Sequence, residues 1–362
     1  MDYTFGIDLG TTNSTIAIFE GGAPEAIGNE NDSNMTPSII YFSGDDDLNP
    51  LVGDDAKNSY LANPQNGVKS IKRHMGEKDF AYTSPGGKQW RPEELSSLIL
   101  RKLAKTAEMR VGEGNVKDVV ITVPAAYDSP KRDAVKAAGT MAGLNVLNII
   151  NEPTAAALAY GIKFEDENKT ILVYDLGGGT FDTTILRVEN KQFDVIGTLG
   201  DPNLGGDDFD IKLEELIIDK LKDLGHDNIS QETINSKAFQ ANVEMTKRNL
   251  SNVETANRQF PIDEEGNTEK VSISREEFED ETRMLLKRSE DIVKKLLGEK
   301  KLSWSNIDDV VMVGGSSHMP MVKKMLKRVS GHEILSRLNP DTAVALGAAI
   351  DSTIKAQSDY TG

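Results

Sequence analysis

The chain has 362 residues, which is enough for two lobes that each bury a sizeable core. Acidic residues outnumber basic ones by 58 to 41, and the net charge of −17 argues against a nucleic acid or an anionic membrane surface as a partner. The absence of cysteine excludes disulfides and thiol catalysis, and with no visible signal peptide or apolar span it predicts a cytoplasmic protein.

The first half of the chain alternates between strand-like and helix-like segments, a pattern typical of α/β proteins. Ser129 and Pro130 predict the N-cap and first turn of one helix, which ends near Gly143. The other predicted elements are two strands around a glycine turn at 4–19, short β segments at 37–42 and 51–53, a helix at 93–110, a buried strand at 119–123 and a short helix at 153–161.

A second α/β block begins at Thr170. It is predicted to contain a strand at 171–174 with a hairpin partner at 182–188, a helix at 207–224, two charged helices within 230–297 that flank a strand pair, a buried strand at 310–313, a helix at 319–329 and an Ala-rich helix at 342–353. The acidic run at 45–47 predicts a solvated turn, and residues 357–362 a frayed or truncated end.

The two blocks contain one repeated pattern. Residues 5–12 (FGIDLGTT) and 173–180 (VYDLGGGT) each combine an apolar strand, an aspartate and a Gly-rich turn with threonine. The strands at 119–123 and 310–313, each followed by a helix, occupy corresponding places in the two blocks. Two facing copies of one fold predict a cleft at their junction.

The two Gly-rich loops have the composition that a polyphosphate needs, because glycine lets backbone N–H groups approach closely and threonine adds hydroxyl donors. Asp8 and Asp175 would repel a bare phosphate, so their presence predicts a divalent cation, Mg²⁺ held largely through water. Neither loop is a Walker A loop or a G-x-G-x-x-G turn that opens a helix.

Two further segments are candidates for contacts to a nucleoside. The run from Gly314 to Ser317 ends a buried strand and starts a helix, where a sugar or base could lie, although a simple βα turn has the same pattern. Glu244, Lys247, Arg248 and Ser251 share one helix face, which by itself is equally typical of a solvated surface.

Five ordered motifs resemble the nucleotide-binding domain of a DnaK-type heat-shock chaperone, and the resemblance covers residues 3 to about 353. They are IDLGTTN at 7–13, NEPTAAALAYG at 151–161, YDLGGGTFD at 174–182, LGGDDFD at 204–210 and NPDTAVALGAA at 339–349. The resemblance implies the actin/hexokinase-like ATPase fold. Its two lobes would comprise a lobe I core at 1–36 and 92–166, a lobe I periphery at 37–91, a lobe II core at 167–204 and 286–362, and a lobe II periphery at 205–285.

The resemblance also implies roles for matched residues. Asp8 and Asp175 resemble the carboxylates that hold the water shell of Mg²⁺, and Pro124 and Arg132 resemble a switch pair that reports the nucleotide state. The implied catalytic residues are Lys72, Glu152, Asp175, Thr180 and Asp182, with Lys69 as the neighbour that a misalignment would select. The implied nucleotide contacts are Gly10, Thr11, Thr12, Asn13, Gly177, Gly178, Gly179, Gly205, Gly206, Glu244, Lys247, Arg248, Ser251, Gly314, Gly315, Ser316, His318 and Asp341.

Some features depart from the family pattern. His318 stands where the family usually has an arginine against the adenine, which predicts weaker adenine binding because an imidazole lacks a permanent charge. Ala126 replaces the usual tyrosine. In the family, the lobe II periphery normally binds nucleotide exchange factors, and here it is shorter than in housekeeping members. We therefore do not predict a conventional exchange factor. The shortening resembles a specialised bacterial branch of the family.

The resemblance therefore implies a slow ATPase domain of a molecular chaperone, with ATP and ADP, Mg²⁺ and a monovalent cation such as K⁺ as cofactors. The implied partners are a J-domain co-chaperone, the protein's own peptide-binding domain, from which we expect this chain to be excised, and unfolded peptide clients through that domain. The alternatives on the same fold are a small-molecule kinase, an actin-like filament protein and a nucleotide-binding module that has lost turnover.

Overall fold

The computed structural model describes residues 3–44, 47–163 and 165–359, without the side chains of residues 358 and 359. Most of the acidic run at 45–47 and the last residues of the predicted frayed end therefore lie outside the described residues. The elements up to residue 163 are β1 (Thr4–Asp8), β2 (Asn13–Glu20), β3 (Ala23–Ala26), β4 (Thr36–Pro37), β5 (Ile39–Tyr41), β6 (Leu51–Val52), α1 (Asp54–Ala62), β7 (Gly67–Lys69), β8 (Tyr82–Thr83), β9 (Gln89–Trp90), α2 (Pro92–Val111), β10 (Asp118–Val123), α3 (Ser129–Met141), β11 (Asn145–Asn151) and α4 (Glu152–Ala159).

The second part of the chain repeats this alternation of strands and helices. Its elements are β12 (Thr170–Leu176), β13 (Phe181–Glu189), β14 (Gln192–Asp201), α5 (Gly206–Asp223), α6 (Gln231–Ile234), α7 (Lys237–Leu250), β15 (Thr255–Pro261), β16 (Thr268–Ser274), α8 (Arg275–Glu299), β17 (Asp309–Val313), α9 (Pro320–Ser330), β18 (Ile334–Leu335) and α10 (Ala343–Asp359).

Two central sheets correspond strand for strand and confirm the predicted duplication. One has the order β3-β2-β1-β10-β11, with β4 as an additional partner of β2, and the other has the order β14-β13-β12-β17-β18. In each sheet the central strand pairs antiparallel with the strand that follows it in the chain, and parallel with the strand on its other side. Asp8, the last residue of β1, and Asp175, the penultimate residue of β12, thus occupy similar positions.

The helices α4 and α10 cross closely between the two sheets, each following the last parallel strand of its own half. A methyl group on Gly347 of α10 would lie 1.7 Å from the carbonyl oxygen of Ala155 in α4, so only glycine permits this approach. Gly6 of β1 is restricted in the same way, because its added Cβ would lie 2.1 Å from the backbone nitrogen of Ala349. Small residues therefore determine how closely the two halves pack.

Smaller elements surround the two central sheets. Strands β5, β6 and β7 form a three-stranded sheet against α1, and β8 pairs with β9. Strands β15 and β16 form the predicted hairpin, and the largest hydrophobic cluster joins them to α5, α7, α8 and α9. The predicted boundary at 285/286 falls inside α8 and the one at 36/37 inside β4, and the division into four subdomains remains a prediction.

The structure corrects several details of the predicted elements. Asp128, not Ser129, caps α3, because its carboxylate accepts a hydrogen bond from the backbone N–H of Lys131. Ser129 and Pro130 instead form the first turn, in which Pro is tolerated because its missing N–H has no helical partner. The last helix is longer than predicted and extends to Asp359. Strands β11 and β14 and helix α1 were not predicted.

Candidate functional site

The two Gly-rich loops face each other across the junction of the two halves. The first loop connects β1 to β2 and the second connects β12 to β13. A Cβ on Gly178 would lie 3.0 Å from the Thr12 hydroxyl oxygen, so the loops are in van der Waals contact at this point. The sequence predicted a cleft between two matching loops, and the structure brings them together.

The first loop is held by hydrogen bonds from two buried serines. The Ser14 hydroxyl accepts from the backbone N–H of Gly10 at 3.2 Å and bonds the Ser38 hydroxyl at 2.8 Å. Ser38 in turn donates to the Gly10 carbonyl at 2.9 Å. A Cβ on Gly10 would lie 1.9 Å from the carbonyl oxygen of Asn13, so the turn requires glycine. The backbone of Asn13, the first residue of β2, pairs with Pro37 of β4 and so anchors the end of the first loop.

The start of α5 is bonded to the second loop. The backbone N–H of Gly206 donates to the Gly177 carbonyl at 2.9 Å, and that of Asp207 donates to the Gly178 carbonyl at 2.7 Å. A Cβ on Gly205 would lie 2.5 Å from the same Gly178 oxygen. Close contact between backbones explains the glycine pair, and it places a helix N-terminus, which attracts anions, beside the loop.

A cluster of buried charges lies beneath the loops. Lys72 forms an ion pair and hydrogen bond with Glu152, and both side chains are buried. Lys69 is exposed, with its ammonium 5.5 Å from the centre of the Tyr60 ring. The structure thus places Lys72, and not Lys69, among the carboxylates. Because the short helical turn at 71–74 buries Lys72, sequence spacing alone could not make this choice.

Burial perturbs the acidic groups of this cluster. Burial and the neighbouring Glu152 carboxylate raise the pKa of Asp8 to about 7, while Lys72 and a 3.3 Å hydrogen bond from the Thr122 hydroxyl act in the opposite direction. Burial and Glu152 also raise the pKa of Asp182 to about 6, and burial raises that of Asp175 well above its usual value. Strongly perturbed carboxylates in a cleft are typical of a functional site.

The same charges act on Lys72. Burial disfavours its ammonium, but Glu152, Tyr127 and Asp8 outweigh that effect and raise the pKa of Lys72 above its usual value. The lysine is therefore charged throughout the physiological range. Four carboxylates (those of Asp8, Glu152, Asp175 and Asp182) face one lysine, and this excess of buried negative charge fits a bound cation.

No set of three or more His, Asp or Glu side chains in the described ranges is arranged to hold a metal ion directly. A cation at this position would need water or phosphate oxygens for most of its ligands, as Mg²⁺ usually does. The donor set consists of carboxylates without thiols or clustered imidazoles, which also fits Mg²⁺ better than a softer metal.

Two residues that were not predicted as site residues, Tyr127 and Asn151, connect Lys72 to Arg132, and Arg73 is a third unpredicted residue. The hydroxyl of Tyr127 donates to the Lys72 carbonyl at 2.8 Å. The guanidinium of Arg132 donates through Nε to the Tyr127 carbonyl at 3.3 Å and through Nη2 to the Asn151 side chain. Arg73 bridges the halves, donating to the Gly179 and Pro202 carbonyls at 3.4 and 3.2 Å. A single sequence offered no signal for these contacts, which join distant segments.

The predicted nucleoside residues lie on the other side of the second loop. Lys247 pairs with Asp210 at 2.8 Å and donates to the Gly206 carbonyl at 3.1 Å. Ser316 donates to the Gly177 carbonyl at 2.8 Å. The turn at Gly314 has a left-handed φ of 88°, which favours glycine. The turn after β17 thus reaches the second loop, and the helix face of α7 reaches the start of α5, which is bonded to that loop.

His318 and Arg248 carry the charges on the outer rim of this region. His318 is 3.1 Å from the Asp341 carboxylate, and this hydrogen bond raises the pKa of His318 while the charge of Arg248 acts to lower it. Arg248 pairs with Glu244 at 2.6 Å. A Cβ on Gly315 would lie 2.4 Å from Asp341, so the turn also requires glycine here.

Pro124 lines a recess between the two halves together with Glu152, Asp175 and Asp182, so this predicted switch residue lies beside the charged cluster. Thr12 is exposed on the first loop, and Thr11 and Thr180 are half-buried on the first and second loops. Ser251, at the end of α7, lies beside a separate recess.

The comparison with known families agrees with this geometry. A family model described as Hsp70 protein matches residues 4–84 and 80–360, nearly the whole chain. In the described part of the chain, none of the helices has the length and apolar character required to cross a membrane.

Proposed function

The chain belongs to the Hsp70 protein family, whose members are ATP-binding and ATP-hydrolysing chaperones with the actin/hexokinase-like fold, and from this premise we propose that it slowly hydrolyses ATP to ADP and phosphate. The hydrolysis would act as a regulatory switch within a chaperone. The observation that carries the proposal is the Lys72–Glu152 pair beneath two facing Asp-Gly loops. An ATPase needs a phosphate grip and a charged group beside the attacked phosphorus, and this site offers both.

The phosphate chain would lie between the loops. Backbone N–H groups of residues 10–12 and 177–180, the threonine hydroxyls and the start of α5 would bind its oxygens. Asp8 and Asp175 would hold the water shell of Mg²⁺, which when bound would neutralise phosphate charge. The raised pKa values of both groups support this assignment, because burial disfavours their charged forms and a cation beside them would favour those forms again.

Hydrolysis would depend on positioning and electrostatics, without a covalent intermediate. The ammonium of Lys72, fixed by Glu152 and by the Tyr127 bond to its carbonyl, would orient the attacking water and offset charge on the γ-phosphate. The Asp182 carboxylate and the Thr180 hydroxyl, at the end of the second loop, would complete the water's hydrogen bonds. K⁺ would bind near Asp182.

The adenosine would lie between α7 and the turn after β17. Glu244, Lys247, Arg248 and Ser251 would form one wall, and the residues from Gly314 to His318 with Asp341 would form the other. Closure of the lobes around ATP would be the signal, and hydrolysis would reset it. Contacts between the halves support such coupling, including the 2.8 Å bond from Lys237 on α7 to Asn58 on α1.

The predicted partners belong to this cycle. A J-domain co-chaperone would stimulate hydrolysis, and a peptide-binding domain of the full-length protein would receive the signal through Pro124 and Arg132. The contact of Pro124 with the charged cluster and the bond from Arg132 to Asn151, next to Glu152, support this route. A cytoplasmic location and a specialised bacterial origin remain part of the proposal, and no conventional exchange factor is proposed.

The deciding assay measures phosphate release from ATP with and without Mg²⁺, K⁺ and a J-domain protein. We expect slow, Mg²⁺-dependent release that needs no added acceptor. Phosphate transfer that appears only with a small acceptor would favour a kinase, and nucleotide-dependent sedimentation would favour a filament protein. Nucleotide binding without any hydrolysis would identify a module that has lost turnover and would refute the ATPase proposal.

A further inference from the structure

The short helical turn at 71–74 carries two neighbouring basic side chains that lie in different environments. Lys72 is buried and pairs with Glu152, and the proposed reaction uses its ammonium. Arg73 is exposed, and its guanidinium crosses from the first half of the molecule to the second. Adjacent residues of one turn therefore contact the charged cluster and the opposite half.

The guanidinium of Arg73 bonds two separate segments of the second half through one nitrogen. Its Nη2 atom donates to the Gly179 carbonyl at 3.4 Å, in the second Gly-rich loop. The same atom donates at 3.2 Å to the carbonyl of Pro202, which lies between β14 and α5. A Cβ on Gly179 would lie 3.1 Å from this nitrogen, so a larger residue there would crowd the guanidinium. Arg73 thus holds the loop and the approach to α5 against the first half.

The segment between β14 and α5 is also held within its own half. Arg288 of α8 pairs with Asp201, whose carboxylate accepts a further hydrogen bond from the backbone N–H of Asn203 at 2.9 Å. This segment therefore keeps its place in the second half without Arg73. The bond from Arg73 to Pro202 is thus a link between the two halves and not a support for the segment.

The turn that carries Lys72 is held from both sides. Within the first half, the Tyr127 hydroxyl donates to the Lys72 carbonyl at 2.8 Å. Towards the second half, Arg73 is bonded to the loop that connects Asp175 to Asp182. The charge of Lys72 acts to lower the pKa of both of these carboxyl groups, so they lie within its electrostatic reach. The position of the ammonium relative to the second half therefore depends on the bonds of Arg73.

We propose that Arg73 is a positioning residue for the hydrolysis of ATP. It would tie the turn that carries Lys72 to the second Gly-rich loop, so that the ammonium is in place only when the two halves are closed. The inference rests on the proposed ATPase function and adds to it a link between closure and turnover. A displacement of about 1 Å at a reacting centre can slow a reaction by about 10²-fold, so two hydrogen bonds between the halves are enough to affect the rate.

The test is a double-mutant cycle between Arg73 and Lys72. It measures single-turnover hydrolysis of radiolabelled ATP by an excess of protein in the presence of Mg²⁺. In the wild-type background, Arg73→Ala should slow hydrolysis about five- to tenfold, the size expected for the loss of one or two neutral hydrogen bonds. In the Lys72→Ala background, the same change should alter turnover less than about twofold, because no ammonium remains to be positioned. ADP affinity, measured by calorimetry, should change less than about twofold in Arg73→Ala, because Arg73 would act on the chemical step.

Arg101→Ala is the matched control. Arg101 also donates through Nη2 to a backbone carbonyl, that of Met141 at 2.9 Å, but both residues belong to the first half. Its removal should leave turnover within about twofold of the wild type. Urea unfolding checks each variant, and if Arg73→Ala does not fold, Arg73→Met, which keeps the aliphatic stem, replaces it with the same expectations.

Two results would overturn the inference. One is turnover in the folded Arg73 variant that stays within about twofold of the wild type, and the other is an equal loss in the wild-type and Lys72→Ala backgrounds, which would show that Arg73 acts independently of Lys72. A wild-type chain that binds ATP and never hydrolyses it would refute the proposed function, and the inference with it. The two failures are distinguishable, because only the second appears in the wild-type chain.

Discussion

Replacing Lys72 by alanine is the sharpest test of the proposed catalytic site. The substitution removes the ammonium that pairs with Glu152 and that lowers the pKa of Asp8 and Asp182. The loss of one preorganised group that faces developing charge typically reduces turnover by about 10²–10³-fold, or about 2.7–4 kcal/mol. We expect a fall of this size in single-turnover hydrolysis of ATP. Nucleotide affinity should change less than about threefold, because the lysine would act mainly in the transition state.

Stability has to be measured beside turnover, because Lys72 is part of a buried ion pair. Removing one partner of such a pair costs about 3–5 kcal/mol. We expect a smaller loss here, since the neighbouring carboxyl groups of Asp8 and Asp182, whose pKa values burial raises, can take up a proton. Urea unfolding of Lys72→Ala and of Lys72→Gln, which preserves much of the side-chain length, separates the loss of stability from the loss of turnover.

Lys69→Ala is the control for this experiment. Lys69 is exposed three residues away and its ammonium lies over the Tyr60 ring, so its removal should leave turnover within about twofold of the wild type. Two results would refute the reasoning: turnover in Lys72→Ala that stays within about threefold of the wild type, or an equal loss in both variants.

Three further predictions concern other parts of the molecule. Because its hydrogen bond to Asp341 raises the pKa of His318, the ring is charged below that pKa, and nucleotide affinity should weaken about two- to threefold as the pH rises through it; the titration should show no such step in His318→Arg. Tyr127→Phe removes the bond to the Lys72 carbonyl and should slow hydrolysis about fivefold in the single-turnover assay with ADP affinity unchanged. Gly347→Ala places a methyl group 1.7 Å from a carbonyl oxygen of α4 and should lower the free energy of unfolding by about 3 kcal/mol, whereas Gly298→Ala, with open space around it, should be neutral or stabilising in the same urea titration.

The duplicated core could be predicted from the sequence because the repeat is local. Each half contains its own apolar strand, aspartate and glycine turn, and the spacing of these residues is readable without tertiary information. The edge strand β14 was not predicted, because it depends on pairing with another strand and not on a local sequence signal. Its sequence, QFDVIGTLGD, mixes glycine and aspartate with apolar residues, and it is ordered by pairing with β13 over its length.

The site could be predicted only in part, and the missed residues share one cause. Tyr127 and Asn151 act through bonds to a backbone carbonyl and a guanidinium that lie far away in sequence. Periodicity reports on neighbours along an element, so residues defined by a contact between elements give no signal in a single sequence.

The contacts around Lys72 form a closed ring, which would give the proposed switch residue Arg132 a physical role. Lys72 pairs with Glu152, Glu152 follows Asn151 in the chain, and Asn151 accepts from Arg132. Arg132 also donates to the Tyr127 carbonyl, and the Tyr127 hydroxyl returns to the Lys72 carbonyl. A shift of the Lys72–Glu152 pair on nucleotide binding would therefore strain both bonds of Arg132 together. Coupling through this residue requires no long pathway, since one side chain touches both arms of the site.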